Sequence, residues 1–143
     1  MGGRILTLAR VLIERARQER SCRWTRERLR AHQQAQLLRL RRHALRHSRF
    51  YQQFHAGLGA APLEQLPILD KPLMMERFDE LVCDPRITRE GAEQFLDQDD
   101  GTGRYLGRYV VLATSGSTGR RGLFLFDRGE WIRGVASITR PPA

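Results

Sequence analysis

Tyr105-Leu106-Gly107-Arg108-Tyr109-Val110-Val111-Leu112-Ala113-Thr114-Ser115-Gly116-Ser117-Thr118-Gly119-Arg120-Arg121-Gly122-Leu123-Phe124-Leu125-Phe126 is the stretch that decides the fold. Tyr105 to Ala113 is apolar, β-branched and bounded by turn formers, so it reads as a strand, and Leu123 to Phe126 reads as a second. Between them, Thr114 to Gly119 is built only of hydroxyl residues and glycine, and Arg120, Arg121 and Gly122 follow. Glycine lets successive amides turn inward with no Cβ in the way, the hydroxyls of Thr114, Ser115, Ser117 and Thr118 can donate to anionic oxygens, and Arg120 and Arg121 add positive charge. Strand, loop and strand together form a hairpin suited to holding phosphate. The order differs from a P-loop, which needs Gly-Lys followed by Ser or Thr entering a helix. A hairpin by itself leaves one face uncovered, here Val110, Leu112, Phe124 and Phe126.

Outward from the hairpin, the pattern is helical. Asp127 and Glu130 have the spacing of a capping box for a helix through Trp131 and Ile132. Upstream, Asp97 to Gly103 reads as a polar loop. Thr88 caps a short helix that buries Ala92, Phe95 and Leu96 despite Gly91. Leu66 to Pro72 reads as an extended segment entering a helix capped by Asp70, with Pro72 in the first turn, and that helix is expected to reach about Leu81. Gly57, Gly59 and Pro62 punctuate a loop after the aromatic group Phe50, Tyr51 and Phe54. Helical spacing also runs from Thr25 to His47 and Ser48. From Arg4 to about Gln18, Ile5, Leu8, Ala9, Leu12 and Ala16 share one helix face, with arginines on the other. The fold class expected is α/β, mostly helical, with a C-terminal β-hairpin. Residues 1–22 form a basic amphipathic helical arm and residues 23–143 the domain that carries the loop.

Composition bounds the function. The chain has 143 residues, enough for one ordinary domain. It is 41% hydrophobic and 29% charged, which argues against wholesale disorder. No run approaches the roughly 18 apolar residues that span a bilayer. Met1-Gly2-Gly3-Arg4 precedes an apolar run broken by Arg10, which is no secretion signal, so a cytoplasmic location is expected. Cys22 and Cys83 stand far apart, with no second pair to make a disulfide framework or a zinc site. Of 25 basic residues only Lys71 is lysine. Residues 1–50 carry 14 Arg against three Glu, so the formal net charge of +9 belongs to the N-terminal helices.

Thr114-Ser115-Gly116-Ser117-Thr118-Gly119 resembles the phosphate-loop signature of the adenylate-forming ligases, the acyl-CoA synthetase-like superfamily. His43-Ala44, His47-Ser48-Arg49-Phe50-Tyr51, Leu66-Pro67, Asp70-Lys71 and Phe78-Asp79 precede the loop in the order expected of phenylacetate-CoA ligase-like proteins. The resemblance runs from about Trp24 to Trp131. It implies an N-terminal (AMP-binding) domain portion in which Thr114, Ser115, Gly116, Ser117, Thr118 and Gly119 hold the phosphates of ATP or AMP. Mg²⁺ and coenzyme A are the implied cofactors, and the nucleotide and a carboxylate the implied substrates. Family members commonly carry Pro and often Lys shortly after the loop, where this chain has Arg121 and Gly122. The family's adenine- and metal-binding motif, ribose-binding aspartate, hinge and lysine-bearing C-terminal domain lie downstream of such a loop. The expectation is therefore an N-terminal fragment, truncated after the phosphate loop and not catalytic alone, with no catalytic residue and no metal ligand assigned.

Two alternatives compete with this reading. A small basic helical protein could bind nucleic acid through its arginines, although no reader motif is present; a non-catalytic partner of a full-length ligase chain is the other. His43 and His47 share a helix face without a third ligand, and read as solvated or packing residues. Glu76, Asp79 and Glu80 read as charge on a solvated helix with no nucleophile nearby. Ser115 and Ser117 lie in neither a GxSxG nor an SxxK context.

Overall fold

The computed structural model describes residues 2–114 and 121–139. Over those residues the chain is mostly helical, with one two-stranded antiparallel sheet. Helix α1 spans Gly2–Ser21 and α2 spans Arg26–His47. Thr25 starts α2, its hydroxyl oxygen accepting the Arg28 N–H at 3.3 Å. Ser48 ends α2 by donating its N–H to the Ala44 carbonyl, and begins α3 (Arg49–Phe54) by accepting the Tyr51 N–H. The aromatic group thus lies on a helix of its own, with Phe50 and Phe54 rings 4.7 Å apart. Arg41 ties α2 to the glycine-rich loop by donating to the carbonyls of Ala61 and Leu58, each at 2.6 Å.

Asp70 caps α4 (Lys71–Glu76) by accepting the Leu73 N–H at 2.9 Å, with Pro72 in the first turn as the sequence implied. The helix does not run unbroken to Leu81. Arg77 leaves helical geometry at φ −108°, ψ 28°, and α5 (Phe78–Leu81) follows at a new angle. Arg77 donates to Gln53 of α3 at 2.7 Å, stacks over Phe50 and pairs with Glu80, while Phe78 turns inward. Burial of Phe78 and the cross-helix hold on Arg77 outweigh the helical hydrogen bonding lost at the break.

Thr88 caps α6 (Arg89–Gln98) through the Gly91 N–H. Ala92 on this helix is fully buried, and Phe95 and Leu96 pack on the core. The loop after it is tied by the Asp99 carboxylate, which accepts the N–H groups of Gly101 and Gly103.

The long first strand expected from Tyr105 is shorter than the sequence implied. Tyr105 and Tyr109 exchange backbone hydrogen bonds of 2.9 Å across a tight turn, with Leu106 at φ 52° and Gly107 at φ 67°. Only Val110–Ala113 forms β1. Glycine at the second left-handed position makes the turn accessible, a preference that overrides the β propensity of the flanking tyrosines. Strand β2 is Leu123–Phe126, paired so that Val110 faces Phe126 and Leu112 faces Phe124. Val111 and Leu123 enter the core with Met75, Phe78, Ile87, Ala92, Tyr105 and Tyr109. On the other face Leu112 and Phe124 stay 42% and 41% exposed, whereas Val110 and Phe126 are half-buried. Both arms of the Asp127–Glu130 capping box form, at 2.8 Å each, and open α7 (Arg128–Ile138). Helix α1 lies along α7: Gln18 donates to the Arg133 carbonyl and Arg128 to the Thr7 hydroxyl.

Candidate functional site

The loop expected to carry chemistry joins β1 to β2. Ser115, Gly116, Ser117, Thr118 and Gly119 lie outside the described residues; Thr114 and Gly122, which frame the loop, lie within them. Beyond β1, the Thr114 N–H donates to the Gly122 carbonyl at 2.9 Å. The Gly122 N–H returns a bond to the Thr114 hydroxyl oxygen at 3.0 Å. These two bonds extend the strand pairing and close the loop's base. A second donor reaches the same oxygen: Lys71 Nζ, from the first turn of α4, lies 3.1 Å from Thr114 Oγ1.

This arrangement fixes what the threonine can do. A hydroxyl oxygen accepts through two lone pairs and donates one proton. Among the described residues, both acceptor positions of Thr114 are engaged by N–H groups, one of them cationic, so its proton is left to be donated, polarised by the ammonium beside it. The Lys71 ammonium carries three donors and spends one on Thr114. Gly122 accommodates the lysine stem, since a Cβ there would meet Lys71 Cε at 3.1 Å. The donor set at the loop base suits an anionic oxygen and not a cation. Arg121 leans away, 3.9 Å from the Asp97 carboxylate at the end of α6.

Lys71 is the residue that sequence reasoning placed only as a landmark. It lies 43 positions before Thr114, and a fold is needed to bring them together. One signal was available, the single lysine among 24 arginines. A compact point charge with three donors differs from a planar guanidinium fork.

The other polar groups singled out from the sequence hold structure together. Asp79 accepts the Arg89 N–H at 2.6 Å. Glu80 pairs with Arg77, whose hydrogen bonds hold its carboxyl below the usual range. With Glu76, Met75, Phe78 and Arg89 these residues line a shallow cavity of about 140 Å³. His43 and His47 pack ring against ring, 4.5 Å between centroids. Among the described residues no group of three or more His, Cys, Asp and Glu is placed to hold a metal ion. Cys22 and Cys83 are both exposed. No helix among the described residues is long and apolar enough to cross a membrane.

Sequence reasoning also passed over a carboxylate with an unusual setting. Asp84 accepts from the Arg86 guanidinium at 2.7 and 3.0 Å, from the Arg86 N–H at 3.1 Å and from the buried Tyr109 hydroxyl at 2.8 Å. The Arg86 side chain first, then the backbone and Tyr109, hold this carboxyl far below the ordinary aspartate range. Burial, reinforced by the bond to Asp84, pushes the Tyr109 phenol up. Compared with family models, curated proteins and solved structures, the chain matches none.

Proposed function

We propose that this chain carries the nucleotide-phosphate loop of an ATP-dependent, carboxylate-activating ligase of the phenylacetate-CoA ligase-like kind, as its N-terminal portion. The supporting observation is the donor set at the base of the Thr114–Gly119 loop, where, among the described residues, Lys71 and the Thr114 hydroxyl converge with no carboxylate among their partners. In such a reaction a carboxylate oxygen attacks the α-phosphorus of ATP, the bond to pyrophosphate breaks, and a thiol, usually of coenzyme A, then takes the acyl group and releases AMP. Charge accumulates on the departing pyrophosphate, and preorganised donors that meet it there stabilise the transition state. Thr114, Ser115, Gly116, Ser117, Thr118 and Gly119 would contact the phosphates, and Lys71 would add the fixed positive charge. Mg²⁺ would arrive bound to the nucleotide phosphates, whose negative charge it shares with these donors. The assignment gives these residues phosphate binding, so nucleotide binding is the property expected of the chain.

Calorimetric titration of the chain with pyrophosphate and with ATP in the presence of Mg²⁺ tests the reading. Loss of one charge-assisted hydrogen bond costs about 1.5–3 kcal/mol, so Lys71→Ala should weaken affinity by roughly tenfold or more. Gly116→Val, which puts a branched side chain where the backbone must approach the phosphates, should do at least as much. Wild-type affinity retained in both variants, or no binding at all, would overturn it.

A further inference from the structure

The side of α1 that meets α7 is not its apolar side. Thr7, Val11, Glu14 and Gln18 are partly shielded on that side, as are Arg15 and Ser21 elsewhere on the helix, and Thr7 and Gln18 bond directly to α7. At 100° per residue, Leu8, Ala9, Leu12, Ile13 and Ala16 gather on the opposite side in one continuous stripe. That stripe faces solvent: Leu8 is 65% exposed, Leu12 62% and Ile13 55%, and both alanines are exposed. Arg10 and Arg17 border it along one edge and Arg15 along the other, with Arg20 near its C-terminal end. Glu19, the one acidic residue on this side, is engaged by Arg15 at 2.9 Å, and Arg17 lies 3.4 Å from Glu14, which leaves Arg10 and Arg20 as the rim arginines without an ion pair among the described residues.

We infer that α1 lies flat on an anionic lipid surface, its Leu8–Leu12–Ile13 stripe sinking into the interfacial region while the bordering arginines meet lipid phosphates. An apolar stripe rimmed by arginine on a helix too polar to span is the pattern of an interfacial helix. Charge decides the occupant. Residues 1–50 carry 14 arginines against three glutamates, so a second copy of the chain would bring like charges together across the same rim, whereas anionic headgroups complement it. Duplex nucleic acid would answer the arginines and leave three large apolar side chains in water. The inference is independent of the phosphate loop, which lies on another element.

Co-sedimentation of the full chain with vesicles tests it, using phosphatidylcholine alone and phosphatidylcholine mixed about two to one with phosphatidylglycerol. The chain should bind the anionic vesicles and leave the neutral ones nearly free. Leu8→Glu with Leu12→Glu should lower the bound fraction at least roughly tenfold. Because both positions are exposed, the variant keeps its fold, which circular dichroism checks. Arg10→Gln with Arg17→Gln should weaken binding while leaving the apolar stripe intact. Absence of binding to anionic vesicles overturns the inference. So does adsorption that the leucine variant retains in full, which is plain basic attraction, and so does self-association of the wild type that the leucine variant abolishes, which makes a second copy the occupant.

Discussion

Ser48 concentrates three jobs in one small side chain. Completely buried, it terminates α2, caps α3 through the Tyr51 N–H and donates its hydroxyl to the Glu80 carbonyl at 3.1 Å, joining the N-terminal helices to α5. Ser48→Ala removes a cap and leaves a carbonyl without its donor, and should cost about 1–2 kcal/mol, read as a shift in urea midpoint at unchanged slope. Asp84 sets a different sensitivity. Its folded-state pKa is depressed, so its contribution to stability is fully present above the unfolded value of about 4 and is lost as pH falls below it toward the folded value. The urea midpoint should therefore drop between neutral pH and pH 3, and Asp84→Asn should flatten that decline. A decline equally steep in the variant would place the acid sensitivity on another carboxylate. Gly91 is legible only from the fold. Helix propensity favours Gly91→Ala by about 1 kcal/mol, but the added Cβ would collide with the Tyr105 hydroxyl and crowd Thr88 Oγ1. Overpacking of this kind costs about 1–3 kcal/mol, so a net loss of stability is expected in place of a gain, measured in the same titration.

At the scale of elements, whatever is encoded within a few neighbouring residues was readable. The caps at Thr25, Asp70 and Thr88, the Asp127–Glu130 box and the β2 strand are local chemistry, and each forms where the sequence puts it. Features decided by partners distant in sequence were not readable. The break at Arg77 depends on Gln53 and Phe50, more than twenty positions earlier. One local feature is the exception: β1 starts late because Tyr105 and Tyr109, four positions apart, pair across a turn that Gly107 permits, and their rings then fill the core beneath it. An isolated glycine inside an apolar run was the signal for that turn. The face of α1 that packs was the least legible of all, because a neighbour took the side with Thr7 and Gln18 and left the leucines outside. The candidate site divides in the same way: the loop motif is contiguous and stands out in sequence, whereas Lys71 joins it only through the packing of α4 beneath the hairpin.

Across the whole molecule, burial is uneven. The central cluster draws on α4, α5, α6, the Tyr105–Tyr109 turn and the hairpin, and Phe50 with Ser48 anchors the end of α2 beside it. Residues 26–40 of α2 are exposed throughout except for a partly shielded Leu37, and few acidic residues are present to pair their arginines. Helices of about 12–15 residues are marginal in water when no tertiary face covers them, and repulsion among close arginines weakens this one further. Opening of this segment need not disturb the core, since the first residue of α2 with buried contacts is Arg41, held by the carbonyls of Leu58 and Ala61. The hairpin behaves differently: its inward face is packed by Met75 and Ile87, and the Leu123 N–H points to the Met75 sulfur at 3.4 Å. Amide hydrogen exchange should therefore separate the chain into two levels. Amides over residues 30–40 should exchange through cheap local opening, while those of α6 and of the β1–β2 pairing should exchange only with global unfolding and follow its denaturant dependence. Raising salt should slow exchange in α2 by screening its arginines and leave the hairpin unchanged. Equal protection in both regions would mean that α2 is covered in solution by a contact absent from the isolated chain.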